Sequence, residues 1–266
     1  NVAWTLVSLG LRVQLVGVLG KDYTAKEARS IIEDRGISTD FLVTDRSRAT
    51  TEKIRIIAHN QQVVRADFES SEEIGGRVLR KLLLSIESAV EEADAVLISD
   101  YGKGVISSAV MDSVRKLCAD RQTPFLVDPK EGHFSLYRGA YAVTPNKYEA
   151  GGFYGRKIRS EEDLESIGRS LLGDLEAEAV LVTRGEEGMT LFEQGRSSYH
   201  FPTRASEVYD VTGAGDTVIS VLAAGIAAGA SIRDSMELAN AAAGIVVREL
   251  GTASVEPEEL TGAFRW

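Results

Sequence analysis

Five short apolar runs, each ending in a polar or charged residue, constrain the fold of this chain more than any other feature. They are Val13–Gly20, Asp94–Asp100, Pro124–Pro129, Ala140–Asn146 and Ala179–Gly185. Short, nearly continuous apolar runs are the pattern of strands buried on both faces of a parallel sheet. Amphipathic patterns over Ile74–Glu92, Ser107–Arg121 and Ser160–Leu172 predict helices between them, and two further helices, Gly215–Ala228 and Ser231–Leu250, close the last third. Strand and helix in alternation point to an α/β protein, a doubly wound, mostly parallel sheet flanked by helices. At 266 residues the chain buries enough surface to need neither metal nor disulfide staple. It has room for one large domain or two small ones.

One segment departs from this pattern. Thr50–Glu69 reads as two strands around a polar turn, His59-Asn60-Gln61-Gln62, which is a β-hairpin. Lys53, Arg55, Arg65 and Asp67 interleave there with isoleucine and valine. An edge hairpin guarded by charges and a small lid over residues 49–68, set into an α/β domain of residues 1–48 and 69–266, both fit that pattern.

Composition excludes several classes. A formal charge of −10 argues against nucleic-acid binding, and any anionic ligand must be held by a local cationic cluster. The single cysteine, Cys118, allows no internal disulfide, fits a reducing, cytoplasmic compartment, and sits in a helix pattern as a core residue. The Val218–Gly229 segment is too short and too rich in alanine and glycine for a membrane span. There is no G-x-x-x-x-G-K-[ST] loop, the three scattered histidines make no zinc pattern, and no nucleophile elbow is present.

Ligands of open α/β sheets bind beyond the carboxyl ends of the strands. Those ends carry Ser99-Asp100-Tyr101 with Lys103, Asp128-Pro129-Lys130, Thr144-Pro145-Asn146 with Glu149, and Thr183-Arg184-Gly185. Any one of these is readily a turn or a cap; four in series describe a polar cleft. Near the end of the chain, Thr212-Gly213-Ala214-Gly215-Asp216 precedes an apolar helix. Backbone N–H groups converging at a helix start form an anion trap suited to a transferring phosphoryl group. Asp216 in the first turn is either a helix cap or a base that takes a proton from an attacking hydroxyl.

The stretch DVTGAGDT, Asp210–Thr217, resembles the C-terminal signature of the ribokinase-like, or PfkB, carbohydrate kinases. The family's N-terminal signature is matched by Asn1, Ala3, Gly10 and Gly20; Val221, in the helix after DVTGAGDT, departs from the C-terminal one, where alanine or glycine is usual. TTEKIRIIAHNQQVVRADFE, ISDYGKGVI, VDPK, VTPNKYE and EVYDVTGAGDTVI together resemble the kinase module of the D-glycero-β-D-manno-heptose-7-phosphate kinases. That resemblance implies a ribokinase-like fold with a β lid, ATP and Mg²⁺ as cofactors, and phosphorylation of the sugar's anomeric hydroxyl on the route to ADP-heptose for lipopolysaccharide. It implies Asp216 as the catalytic base and the N–H groups of Gly213, Ala214 and Gly215 as the anion hole. Asn146, Lys147, Tyr148 and Glu149 fall on the element that orders Mg²⁺ through Glu149, with Thr183, Arg184 and Gly185 along the nucleotide phosphates. For the sugar phosphate it implies Asn1, Lys53, Asn60, Gln61, Arg65, Asp67, Asp100, Lys103 and Lys130. A homodimer through the hairpins, a strand and turn preceding Asn1, and a connector at SVEPEELTGAFRW toward a nucleotidyltransferase domain are further implications. Another sugar or nucleoside kinase, or a non-catalytic module of the same fold, are the competing readings.

Overall fold

The computed structural model describes residues 1–58, 61–205 and 208–264. The chain forms two compact units: Asn1–Arg12, Ala93–Tyr101 and Val114 onward make the first, Val13–Glu92 and Gly102–Ser113 the second.

The first unit is built on a six-stranded sheet of order β10-β9-β8-β7-β6-β5. Its strands are β5 (Val96–Ser99), β6 (Phe125–Asp128), β7 (Ala142–Val143), β8 (Ala179–Thr183), β9 (Met189–Glu193) and β10 (Tyr199–Phe201). Strands β5 to β8 run parallel, and β9 pairs antiparallel with both β8 and β10. The expected apolar runs are the parallel strands, because Phe125–Val127 and Ala179–Val182 are buried as only a sheet covered on both faces allows. Around it lie α1 (Val2–Ser8), α4 (Ser108–Arg121, shared with the second unit), α5 (Lys147–Phe153), α6 (Glu161–Asp174), α7 (Ala214–Ala227), α8 (Ile232–Val246) and α9 (Pro257–Gly262). In α6 the buried residues Leu164, Ile167, Leu171 and Leu172 follow helical spacing and face the sheet.

Helix α7 is buried nearly all round, from Thr217 to Ile226, and contacts α1, α8, β5 and β6. Gly225 allows α8 to approach, since a Cβ there would collide with Ser235. The C-terminal segment is not a loose connector. Pro257 opens α9, Glu256 and Glu259 form a capping box, and Val255 and Leu260 join the core of the first unit, with Ser8 Oγ donating to Val255 O at 3.2 Å.

The second unit contains β1 (Gly17–Leu19), α2 (Tyr23–Asp34), β2 (Leu42–Thr44), β3 (Glu52–Ala58), β4 (Gln61–Phe68) and α3 (Gly76–Val90). The first apolar run therefore yields only a three-residue strand, paired in parallel with β2 in a sheet of its own. The hairpin is present, with β4 beginning at Gln61, so Gln61 and Gln62 belong to the strand rather than the turn. A bulge between Ile56 and Ile57 shifts its register. At the hairpin's base, Asp22 caps α2 through Ala25 N and also accepts from Thr50 N at 2.7 Å. The buried Arg48–Asp45 pair sits nearby, with Arg48 also donating to the carbonyls of Lys103 and Glu72.

Candidate active site

The site in the first unit starts from the turn before α7. Asp210 accepts from Thr212 N (2.9 Å) and Gly251 N (2.9 Å), which pins the turn to the loop after α8 and holds the Asp210 carboxyl below its ordinary range. Gly213 is the N-cap at φ 83°, a left-handed conformation that glycine adopts freely. A Cβ there would lie 2.7 Å from Asn1 Nδ2. The N-cap position falls to Gly213, and Asp216 is the acidic residue of the helix's first turn. Its Oδ2 accepts from Asn1 Nδ2 at 3.0 Å, so residues 215 positions apart in sequence share one hydrogen bond. Of the three N–H groups expected to face an anion, that of Ala214 donates to Val211 O at 3.2 Å in this conformation.

A group of carboxylates gathers beyond the ends of β5 and β6. Burial pushes the Asp128 carboxyl up to about 7, reinforced by the negative charges of Asp216, Glu149 and Asp100 and opposed by Lys130. Glu149 is likewise raised, chiefly by burial, with the Asn146 N–H and Lys130 pulling it back. Burial also raises the Tyr101 hydroxyl, helped by Asp216 and Asp128. Asp128 thus feels the charges of Asp216 and Glu149, and Tyr101 those of Asp216 and Asp128, with Lys130 the cation near Asp128 and Glu149. Among the described residues no three His, Cys, Asp or Glu side chains form a ready metal cage.

Asn146 and Glu149 have a structural job that their spacing conceals. Asn146 Oδ1 accepts from Tyr148 N (2.8 Å) and Glu149 N (3.0 Å), and Glu149 Oε2 accepts from Asn146 N (2.9 Å). This is a capping box on α5, and it leaves Glu149 Oε1 without a hydrogen bond among the described residues. Tyr148 is exposed, and Lys147 pairs with Glu187 at 2.6 Å.

Other expected residues are engaged elsewhere. Arg184 is drawn into the fold by ion pairs to Glu161 and Glu187 and by a 3.1 Å bond to Thr190 Oγ1; its side chain is 8% exposed, so it is not a free phosphate ligand. Thr183 N donates to Pro145 O at 2.9 Å, and Gly185 has positive φ in the following 3₁₀ turn. Asp100 is buried, its Oδ2 held by Tyr137 Oη and His133 Nδ1, each at 2.7 Å, while Tyr137 Oη accepts from Lys130 N. It is a strut under the Lys130 loop rather than an open sugar ligand.

In the second unit, Lys53 bonds Asp67 (3.1 Å) and Glu69 (2.8 Å), Lys103 bonds Glu69, and Arg65 pairs with Asp67 (3.0 Å). Lys53, Arg65, Asp67 and Lys103 therefore form one network through Glu69, a residue the sequence reading passed over. Asn60 and the side chain of Gln61 lie outside the described residues. Asp128 was visible at a strand end and within VDPK but was given no role; its burial and its coupling to Asp216 and Glu149 mark it as a candidate for the site.

The structure superposes on that of Arabidopsis thaliana ribokinase with ribose and ATP at a TM-score of 0.82 and 21% identity, covering 100% of this chain and 86% of that one. Escherichia coli phosphofructokinase-2 with potassium gives a TM-score of 0.81 at 16% identity, covering 99% and 84%. The fold is thus ribokinase-like. Among curated relatives, the bifunctional protein HldE of Geobacter sulfurreducens is 41% identical over 264 residues, 99% of this chain and 54% of the relative. HldE of Edwardsiella ictaluri is 43% identical over 265 residues, 100% of this chain and 54% of the relative. The chain spans about half the length of the curated relatives it matches. The sequence pattern of the pfkB family carbohydrate kinases matches residues 1–259, and with the Gly213–Asp216 turn built as described, the chain belongs to that family.

Proposed function

We propose that this chain is an ATP-dependent kinase module that phosphorylates the anomeric hydroxyl of D-glycero-β-D-manno-heptose 7-phosphate, giving heptose 1,7-bisphosphate. The observation that carries the reading is the Asn1–Asp216 hydrogen bond at the glycine-rich start of α7. It fixes one carboxylate oxygen and leaves Oδ1 without a hydrogen-bond partner among the described residues, free to take a proton. As the sugar oxygen attacks the γ-phosphorus, its proton passes to Asp216 and the bond to the ADP oxygen breaks. The N–H groups of Gly213 and Gly215 face the developing charge at the helix start.

The residues present fit a nucleotide-bound Mg²⁺. Asp128 and Glu149 are half-buried carboxylates whose raised pKa values record an excess of negative charge, which a divalent cation relieves. Mg²⁺ keeps several waters and takes few protein carboxylates, so the lack of a complete protein cage suits it. Glu149 and Asp128 would hold it, and it would neutralise phosphate charge during transfer. Lys130, Thr183 and Gly185 are the remaining groups at these strand ends for phosphate.

In this reading the hairpin over residues 49–68 is the lid and dimer element. Ile54, Ile56, Val64 and Phe68 share one hairpin face and are 42–53% exposed, an apolar strip suited to a second copy. The HldE relatives, of twice this length and named bifunctional, support a further domain that continues the ADP-heptose route. No helix among the described residues is long and apolar enough to cross a membrane, in keeping with a cytoplasmic enzyme.

The test is ADP release from Mg·ATP with heptose 7-phosphate, ribose, fructose 6-phosphate or no sugar. Turnover is expected with the heptose phosphate, and Asp216→Asn is expected to lower kcat by about 10²–10⁴-fold while ATP binding persists. Retention of most of the kcat in that variant removes Asp216 from the role of base.

A further inference from the structure

Among the described cations at the strand ends of the first unit, Lys130 is the one left open. Lys147 pairs with Glu187, and Arg184 pairs with Glu161 and Glu187. Lys130 is exposed, and its Nζ makes no ion pair or hydrogen bond among the described residues. Its charge nevertheless opposes the raised carboxyls of both Asp128 and Glu149. A lysine side chain carries much rotamer freedom, so such an ammonium is placed only as well as the backbone that bears it.

That backbone is pinned at both ends by Asp100. Asp100 N donates to Asp128 O at 3.1 Å, and Lys130 N donates to Tyr137 Oη at 2.9 Å. Pro129, between them, has no N–H to offer. Tyr137 Oη donates in turn to Asp100 Oδ2 at 2.7 Å, and His133 Nδ1 meets the same oxygen at 2.7 Å. Asp100 thus holds the carbonyl of Asp128 directly and the amide of Lys130 through Tyr137. The Asp100 side chain is 1% exposed, and Tyr137 is fully buried with its ring edge-on to Phe134. Burial above all raises the Tyr137 hydroxyl, with the Lys130 N–H opposing the shift and Asp100 reinforcing it. The hydroxyl therefore keeps its one proton for Asp100 and offers a lone pair to Lys130 N. Burying a carboxylate is costly, and here its hydrogen bonds lead to two residues of the candidate site.

We propose that Tyr137 is a positioning residue: through its hydrogen bonds to Asp100 and Lys130 N it sets where the Lys130 ammonium stands, and that ammonium meets the phosphate chain of a nucleotide bound beside Asp128 and Glu149. The proposal rests on the kinase reading above, and every residue in it belongs to the first unit.

The experiment is a double-mutant cycle on Tyr137→Phe and Lys130→Met. It is read on kcat, on KM for heptose 7-phosphate and on the calorimetric Kd of Mg·ATP without sugar. Tyr137→Phe keeps the buried ring and removes only the hydroxyl, while Lys130→Met keeps an unbranched side chain and removes the charge. Lys130→Met is expected to lower kcat roughly 10²-fold and to weaken Mg·ATP about 10-fold. Tyr137→Phe lowers kcat roughly 10-fold by misplacing the ammonium and weakens Mg·ATP about threefold. The KM for the sugar stays within about twofold in both. In the Lys130→Met background Tyr137→Phe costs nothing further, because nothing is left to position. A merely structural Tyr137 lowers the melting temperature and multiplies its factor onto that of Lys130→Met. Where Tyr137→Phe fails to fold, Asp100→Asn, which keeps the shape and an accepting oxygen, takes its place in the cycle. With a wild type that turns over, kcat decides: multiplied factors, or an unchanged kcat in either single variant, overturn the proposal. A wild type that binds Mg·ATP but releases no ADP with any sugar removes the kinase reading, and the Kd cycle then decides by the same rule. A wild type that binds no Mg·ATP removes both.

Discussion

Asp128→Asn separates a site residue from a structural one, because the two roles predict opposite signs of stability. The Asp128 carboxyl stands at about 7 against an ordinary 3.8, a rise of roughly three pKa units. At about 1.36 kcal/mol per unit, charging it in the folded protein costs about 4 kcal/mol more than in the unfolded chain. That figure is an upper bound, because the repulsion is shared with Asp216, Glu149 and Asp100. The folded state holds the proton more tightly than the unfolded one, so the unfolded chain binds fewer protons between the two pKa values and stability falls as pH rises through that window. The contribution is intact below 3.8 and gone above about 7. Replacing the carboxyl by an amide removes the penalty. At pH 8 the variant should be more stable by about 2–4 kcal/mol, a rise in Tm of roughly 4–12 °C for a domain of this size. Near pH 4 the advantage should vanish. Calorimetric melts at pH 4, 6 and 8 in EDTA measure this directly, and kcat at pH 8 should fall in the same variant. Mg·ATP should narrow the gap, since it supplies to the wild type the positive charge the cluster lacks. A variant that melts at or below the wild type at pH 8, or with the same offset at pH 4, refutes the account of Asp128 as a buried carboxylate awaiting a cation.

Gly213→Ala should lower stability by roughly 1–2 kcal/mol through its positive φ and displace Asn1 from Asp216; melts and kcat together check it, and an unchanged kcat would show that the Asn1–Asp216 bond does not position the base. Ile56→Glu, on the apolar face of the hairpin, should shift the mass in solution from a dimer toward the 28.8 kDa monomer, read by light scattering on a sizing column. If the wild type already runs at that monomer mass, the face has no second copy to bind.

The strands that were legible in the sequence are those buried on both faces. Phe125–Val127 and Ala179–Val182 have no polar interruption, and burial on both sides demands none. Strands β9 and β10 escaped because Met189–Glu193 follows Glu186-Glu187-Gly188 and contains a buried Thr190 and Glu193, so five residues enclosed by the fold do not read as an apolar run. The first apolar run misled in the other direction, since only Gly17–Leu19 of it is strand. Helix α9 carried a readable start, proline at the first position behind an E-x-x-E capping box, but its single buried side chain within the helix, Leu260, gave no periodicity. The turn before α7 was legible because Gly213 stands at φ 83°, where glycine is strongly favoured. The partners of Arg184 and Asp100 were not legible for one reason: a charge at a strand end looks the same in sequence whether or not a partner such as Glu161 or Tyr137 is brought to it by the fold.

The partition of charge resolves that ambiguity where residue type does not. Arg184, Lys147, Lys53 and Lys103 each meet a carboxylate, and such balanced pairs contribute little beyond local order when exposed. Asp128 and Glu149 on one unit form a half-buried negative surplus that one cation, Lys130, opposes, whereas Arg55 on the other is exposed and solvated by water. The negative surplus lies beside Asp216, and the positive surplus lies on the hairpin, where no nucleotide motif occurs. On the kinase reading, the cation that accompanies a nucleotide relieves the negative surplus.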